Sequence, residues 1–303
     1  MKKMLKSFVF ASLIATLALS GAAFAEPAQD KKPPKPAILV TSFGTSMAEA
    51  RPAIDNLVAS IKEAFPEAEV RLAFSSNIIR RKLAREGAAD VPPTPVQALA
   101  DLNDEGFKEV LVMPTHIIPG AEYDDIAGVV KAFRGIKGKY GFKSIRLGKA
   151  FLSSVEACDE MADILIKRFE SVPAGTGIVL MGHGTPEHIA NAMYSQLQIA
   201  LNKKADDRFF IGTVENTPLI EDVVAGLKKA GVKKVVISPL MEVAGDHANN
   251  DLAGEDDPES WLNVLKGEGF EVETYIYGLG ADPNIAAAFV EHAKAALAPR
   301  PAK

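Results

Sequence analysis

Three side chains have the types and settings to hold a divalent metal: Glu122, His183 and His247. His183 follows the apolar run GIVLM within GHG, where the flanking glycines let the backbone turn sharply and a large ligand approach closely. His247 lies just past KVVISPLM in the polar loop AGDHANND, and Glu122 lies in PGAEYDD, just past EVLVMPTHII. Two imidazoles and a carboxylate suit a borderline ion such as Co²⁺, Fe²⁺, Ni²⁺ or Zn²⁺ and leave coordination positions open. Taken singly, each histidine could instead cap or satisfy local backbone. The chain has only five histidines, however, and two of them stand at equivalent strand-end points of different loops. His116, at the end of EVLVMPTH, is either a partner orienting Glu122 or a hydrogen-bonded strand-end histidine. His188 and His292 lie in segments that read as helices and fit surface or packing roles.

A second group of candidates could take an anion. SFGTS supplies Ser42, Gly44, Thr45 and Ser46 at a strand-to-helix turn, and Thr185 follows the GHG turn. Free amides and hydroxyls there suit a carboxylate or phosphate, or make an ordinary helix cap. In SSNIIRRKL, Ser75, Ser76, Arg80 and Arg81 begin a helix, where an arginine could clamp a carboxylate or sit on a solvated face. GxGxxG, Walker A, GxSxG and HExxH patterns are absent, so no nucleotide requirement is expected and a zinc hydrolase is disfavoured.

The elements that position these residues are legible as alternation. From Ala37 onward, β-branched runs alternate with helix-period segments, the pattern of parallel strands joined by crossover helices. The candidate strands are AILVTSF, EVRLAF, EVLVMPTH and SIRLGKAF, then GIVLMGHG, FFIGTVEN, KVVISPLM and EVETYIYG. The second set repeats the first. Under one constant shift Gly106, Pro114 and Gly120 become Gly231, Pro239 and Gly245, and Glu122 falls on His247. Under another, Ile38, Gly44 and Thr45 become Ile178, Gly184 and Thr185, and Phe43 falls on His183. The expected fold is therefore α/β, with two similar doubly wound parallel-sheet lobes, residues 37–172 and 173–303, and an inter-lobe cleft. Loops after the strands' carboxyl ends meet there, which is where such folds bind ligands.

Residues 1–25 combine a Lys-rich start, an apolar run too short to span a bilayer and an Ala-Phe-Ala ending, so they read as a cleavable signal peptide. Residues 26–36 read as a flexible leader. A periplasmic, released protein with no membrane insertion is expected. The net charge of −5 and the lack of a basic tract in the mature region give no footprint for nucleic acid. Cys158 is the sole cysteine, which excludes an internal disulfide, and its helical setting fits a small buried residue.

In order, SFGTS, SSNIIRRKL, HIIPGAEY, LMGHG, GTVENTP, PLMEVAGDHANNDLAGEDDPESW and GLGADP resemble the anaerobic cobalt chelatases of the CbiK family across residues 37–297. The resemblance implies a ferrochelatase-like fold and ATP-independent insertion of Co²⁺ into sirohydrochlorin held in the cleft; the ligand set itself accepts Fe²⁺ as well. It also implies His183, His247 and Glu122 as the metal and catalytic residues, and gives SFGTS and Arg80 a carboxylate-rich macrocycle to bind. The signal peptide departs from the cytoplasmic setting of cobalamin synthesis. It keeps open a periplasmic metal or tetrapyrrole carrier without turnover. Fold analogy adds an expected homo-oligomer.

Overall fold

The computed structural model describes residues 35–299. All eight expected runs form strands, in two four-stranded parallel sheets. The first lobe contains β1 (Ala37–Ser42), α1 (Arg51–Ala64), β2 (Glu69–Phe74), α2 (Asn77–Arg85), α3 (Pro95–Asp104), β3 (Glu109–Pro114), α4 (Ala121–Gly135), β4 (Ser144–Leu147) and α5 (Val155–Arg168). The second contains β5 (Thr176–Gly182), α6 (Ala192–Ala205), β6 (Phe209–Thr213), α7 (Ile220–Lys229), β7 (Lys234–Pro239), α8 (Trp261–Gly267), β8 (Glu271–Thr274) and α9 (Pro283–Leu297).

The strand orders, β2-β1-β3-β4 and β6-β5-β7-β8, are the same permutation. The repeat extends to single hydrogen bonds beyond the strands. Thr115 N–H donates to Thr41 O at 3.0 Å, and its counterpart Leu240 N–H to Met181 O at 2.7 Å. Ser75 and Ser76 N–H reach Ser42 and Phe43 carbonyls, just as Val214 and Glu215 N–H reach Gly182 and His183 carbonyls. Gly44 and Gly184, matched in sequence, both take the left-handed backbone, at φ +99° and +83°. Both central strands thus end in the same turn, which glycine alone adopts without strain.

β1 and β5 are buried along their whole length because helices cover both faces of each sheet. Ile38 and Val40 of β1 and Ile178 and Leu180 of β5 join one central cluster with residues of α1, α5, α6 and α9. Leu39 and Val112 face α3 and α4 on one outer side, and Val179 and Ile237 face α7 and α8 on the other. At about 1.5–3 kcal/mol per buried aliphatic side chain, the shared central cluster holds the lobes as one body. The described residues accordingly fall within a single compact unit.

The architecture departs from the expected boundary in one respect. α9, the last helix of the second lobe in sequence, packs on α1, α5, β3 and β4 of the first, and α5 packs on α6. A helix's apolar stripe specifies that it must be covered, not by which sheet. The expected signal peptide and most of the leader lie outside the described residues, and among the described helices none is long and apolar enough to cross a membrane.

Candidate active site

The turns that follow β1, β3, β5 and β7 meet at one place, and the contacts obey the internal repeat. A Cβ on Gly120 would lie 3.1 Å from the Thr185 side chain, and one on Gly245 would lie 3.9 Å from Thr45 Oγ1. Each lobe's first-strand turn therefore touches the other lobe's third-strand loop, with a pseudo-twofold axis between them.

His183 and His247 stand side by side, ring centroids 4.8 Å apart and planes at 79°. Their hydrogen bonds identify which nitrogen is free. His183 Nδ1 lies 2.9 Å from Gly184 O, and because a carbonyl only accepts, Nδ1 carries the proton. His247 Nδ1 lies 2.7 Å from Asp251 Oδ2, which fixes the same tautomer. Both Nε2 lone pairs are thereby left for a ligand, and the carboxylate behind His247 is the arrangement that orients imidazoles at metal centres. Both rings are half-buried.

The other three histidines differ. His188 Nδ1 accepts from Ala190 N–H at 3.0 Å, so its Nε2–H points to Asp124 Oδ2 at 3.2 Å and both nitrogens are committed. His292 Nε2 is 3.1 Å from Glu160 of α5. His116 has both ring nitrogens shielded from solvent without a partner, and burial pushes its pKa down to about 4. It makes no hydrogen bond to Glu122.

Glu122 occupies the first turn of α4, half-buried, where the helix N-terminus favours a carboxylate. Its loop is docked beside the His183 turn, since Ala121 N–H donates to Thr185 Oγ1 at 3.2 Å. Beneath lies Tyr194, whose hydroxyl accepts from Gly184 N–H at 3.3 Å. Burial pushes that phenol up to about 12, and the charge of Glu122 adds to the shift. The carboxylate beside His183 is a different one: Glu215 Oε2, 3.7 Å from His183 Nδ1. Among the described residues no three His, Cys, Asp or Glu side chains are already converged on one point. The structure thus brings His183 and His247 together, places Glu122 on the adjoining rim and sets Glu215 behind His183.

The expected anion-binding residues are engaged within the protein. Ser42 Oγ accepts from Gly44 N–H at 3.0 Å and donates to Glu242 Oε2 at 2.8 Å. Thr45 Oγ1 accepts from Met47 N–H, the cap alternative, and Ser46 is half-buried at the same turn. Arg80 Nε donates to Pro92 O at 2.7 Å, within its own lobe. A side chain on Gly44 would strike the Phe74 ring at 2.6 Å. Cys158 is fully buried and its thiol is pushed up to about 11, mainly by burial, so it is no nucleophile.

A family model matches almost all of the described chain: the one described as cobalt chelatase (CbiK) covers residues 36–298. The chain belongs to that family. It is 35% identical over 268 residues to a sirohydrochlorin cobaltochelatase of Salmonella typhimurium, spanning 87% of this chain and 97% of that one. It is 32% identical over 276 residues to the sirohydrochlorin cobaltochelatase CbiKC of Nitratidesulfovibrio vulgaris, spanning 90% and 94%. Among solved structures, Bacillus subtilis SirB with Fe³⁺ aligns with a TM-score of 0.60 at 16% identity, over 87% of this chain and 96% of SirB. CbiX, described as the terminal enzyme of sirohaem biosynthesis in denitrifying bacteria, aligns at 0.52 with 18% identity, over 87% and 100%. These two establish the shared chelatase fold.

Four side chains around these residues carry no part in the sequence expectations: Glu215, Asp251, Tyr194 and Glu242. Asp251 carried a usable signal, its i,i+4 spacing from His247. Glu215 follows a strand in GTVEN, at the point matched by Ser76 in the first lobe. Tyr194 and Glu242 carried none, because a helical tyrosine and a glutamate flanked by apolar residues acquire meaning only from what lies above them.

Proposed function

We propose that this chain inserts Co²⁺ into sirohydrochlorin without a nucleotide, releasing the two pyrrole protons. The observation that carries the reading is the pair of adjacent imidazoles whose Nδ1 atoms are both bound to oxygen, in a chain of the cobalt chelatase family. The Nε2 lone pairs of His183 and His247 hold the ion, and Glu215 supplies a carboxylate on the same lobe. Two neutral imidazoles with open positions bind loosely enough for the pyrrole nitrogens to displace them one at a time. Glu122 comes from the opposite lobe, so the macrocycle lies between it and the ion. A carboxylate on that face is placed to accept a pyrrole proton as the metal enters from the other. The exposed Phe43, which the repeat matches to His183, lies on the Glu122 side and offers the macrocycle an apolar face.

Fe²⁺ satisfies the same ligand set and is a second candidate substrate. Residues 1–25 support export, which makes the site of action the periplasm, and a homo-oligomer is proposed on fold analogy alone. The test is incubation of the mature protein with sirohydrochlorin and Co²⁺ at catalytic amounts. Multiple turnovers, lost in His183→Ala and His247→Ala with the fold intact, are expected. Stoichiometric binding without insertion would reduce the protein to a carrier, and full activity in both variants would remove the imidazoles from the mechanism.

A further inference from the structure

The internal repeat identifies a carboxyl that the architecture itself does not require. Glu242 corresponds to Ile117 of the first lobe, a buried member of the central cluster. Its hydrogen-bond partner Ser42 corresponds to Gly182, where the Tyr194 ring fills the space a side chain would need. One half of the pseudo-twofold junction is therefore Gly182 with Ile117, and the other is Ser42 with Glu242. Both polar residues are buried.

Glu242 sits in an unfavourable environment for an acid. Oε1 is buried without a hydrogen bond, Oε2 accepts from Ser42, the Thr115 hydroxyl stands close by with its proton directed to Thr41 O, and no cation offsets the charge. Burial pushes its pKa up to about 7, against the lowering effect of the Thr115 and Ser42 hydroxyls. An isoleucine would fill such a site at lower free energy. What the carboxyl contributes is a directed bond. Ser42 Oγ already accepts from Gly44 N–H, so its single proton is aimed at Glu242.

The segment that Glu242 begins ends at a metal-binding imidazole. Glu242 O accepts from Gly280 N–H at 2.9 Å, and Gly278 packs directly against Glu242 O and Val243. Asn249 Nδ2 closes the loop on Ala244 O and Gly245 O at 3.1 and 2.8 Å, and touches Met47 Sδ at 3.7 Å. The run 242–249 is thus a stiff arm. Its base is fixed to the other lobe by the Ser42 bond and its far end carries His247.

We propose that Glu242 is a positioning residue for the metal site: its carboxyl latches the His247 arm to the 42–46 turn and so sets the separation of the two imidazoles. This rests on the chelatase reading for its function, but the latch can be measured through metal binding alone.

The decisive variants are Glu242→Ile, which installs the residue found at the equivalent point of the first lobe, and Glu242→Gln, which keeps an acceptor for Ser42. Co²⁺ affinity of the purified chain is measured without tetrapyrrole, beside its melting temperature. Glu242→Ile is expected to melt no lower than the native chain yet to bind Co²⁺ about tenfold more weakly, the scale seen when support of a ligating histidine is removed. Glu242→Gln should stay within about twofold. Ser42→Ala should reproduce the loss, and the double variant should be no worse than either single one, since both remove one bond. Native Co²⁺ affinity in a folded Glu242→Ile overturns the latch, as does a Gln variant as impaired as the Ile one. Should Glu242→Ile fail to fold, native affinity in Ser42→Ala overturns it equally. A native chain that binds Co²⁺ but never inserts it would instead overturn the chelatase reading, leaving the affinity comparison intact.

Discussion

Replacing Asp251 with alanine removes the carboxylate that accepts from His247 Nδ1 at 2.7 Å and leaves the imidazole otherwise in place. That carboxylate holds the ring's orientation and raises the basicity of Nε2, the atom proposed to bind the metal. Loss of such a partner typically weakens metal affinity 10- to 100-fold. The lower end applies here, because the two side chains are 38% and 42% exposed and water can replace the missing acceptor. The expected change is about tenfold in the Co²⁺ dissociation constant, or about 1.4 kcal/mol. Asp251→Asn keeps an acceptor without the charge and should fall between the native protein and alanine. The assay is a Co²⁺ titration followed by visible absorption, with circular dichroism confirming the fold. A folded Asp251→Ala that binds Co²⁺ within about twofold of the native protein would refute the assignment of Nε2 as ligand, because the proposed ring orientation depends on this pair.

The two glutamates should separate by readout. Glu215→Ala is expected to weaken Co²⁺ binding in the absence of tetrapyrrole, whereas Glu122→Ala should leave that affinity unchanged and lower kcat; the reverse pattern would exchange their roles. Stability should show two opposed titrations. His116 is held neutral, its pKa lowered from 6.5 to about 4, so the unfolded chain binds the extra proton and stability rises with pH across that window. Glu242 is raised from 4.5 to about 7, so there the folded chain binds the extra proton and stability falls as pH rises. The native protein should be nearly flat between them, while His116→Leu uncovers a falling limb and Glu242→Ile a rising one. Each limb reaches at most about 1.4 kcal/mol per pH unit, and denaturation at pH 5 and 6.5 measures it. Gly182→Ala would put a Cβ 2.5 Å from the Tyr194 ring and should destabilise the protein by about 1–3 kcal/mol; an unshifted melting temperature would mean Tyr194 moves freely.

The parts of this molecule that were legible from residues alone are those set by burial and backbone geometry. β1, β3, β5 and β7 announce themselves because helices on both faces demand unbroken apolar runs. Gly44 and Gly184 are legible because a left-handed turn selects glycine. His183 and His247 stood out because imidazoles are few and the repeat aligned their loops. Partnership was not legible. α9 shows an apolar stripe in the sequence but not that it crosses to β3 and β4. The hydroxyls of Ser42 and Thr185 could equally cap, bridge or bind an anion, and only the fold reveals that Glu242 and Ala121 use them. Glu215 was hidden for the same reason: a carboxylate in a polar loop is unremarkable until His183 lies beside it.

Duplication also explains why the chemistry can be one-sided. A symmetric pair of lobes would present identical walls to a flat ligand and could either bind a metal on both faces or on neither. Here the equivalent positions have diverged: Phe43 against His183, Glu122 against His247, Ser76 against Glu215. One wall carries the two imidazoles proposed to hold the cation, the other an aromatic face and an acid. Metal insertion needs that asymmetry, since the cation and the departing protons repel each other and are best handled on opposite faces. The junction that fixes the two walls diverges as well, with Glu242 on one side and Ile117 on the other. The carboxyl lies on the side of the junction that carries His247, where a small displacement of the arm would alter metal geometry. On the Ile117 side the same displacement would move only Glu122, whose proposed proton transfer tolerates an intervening water.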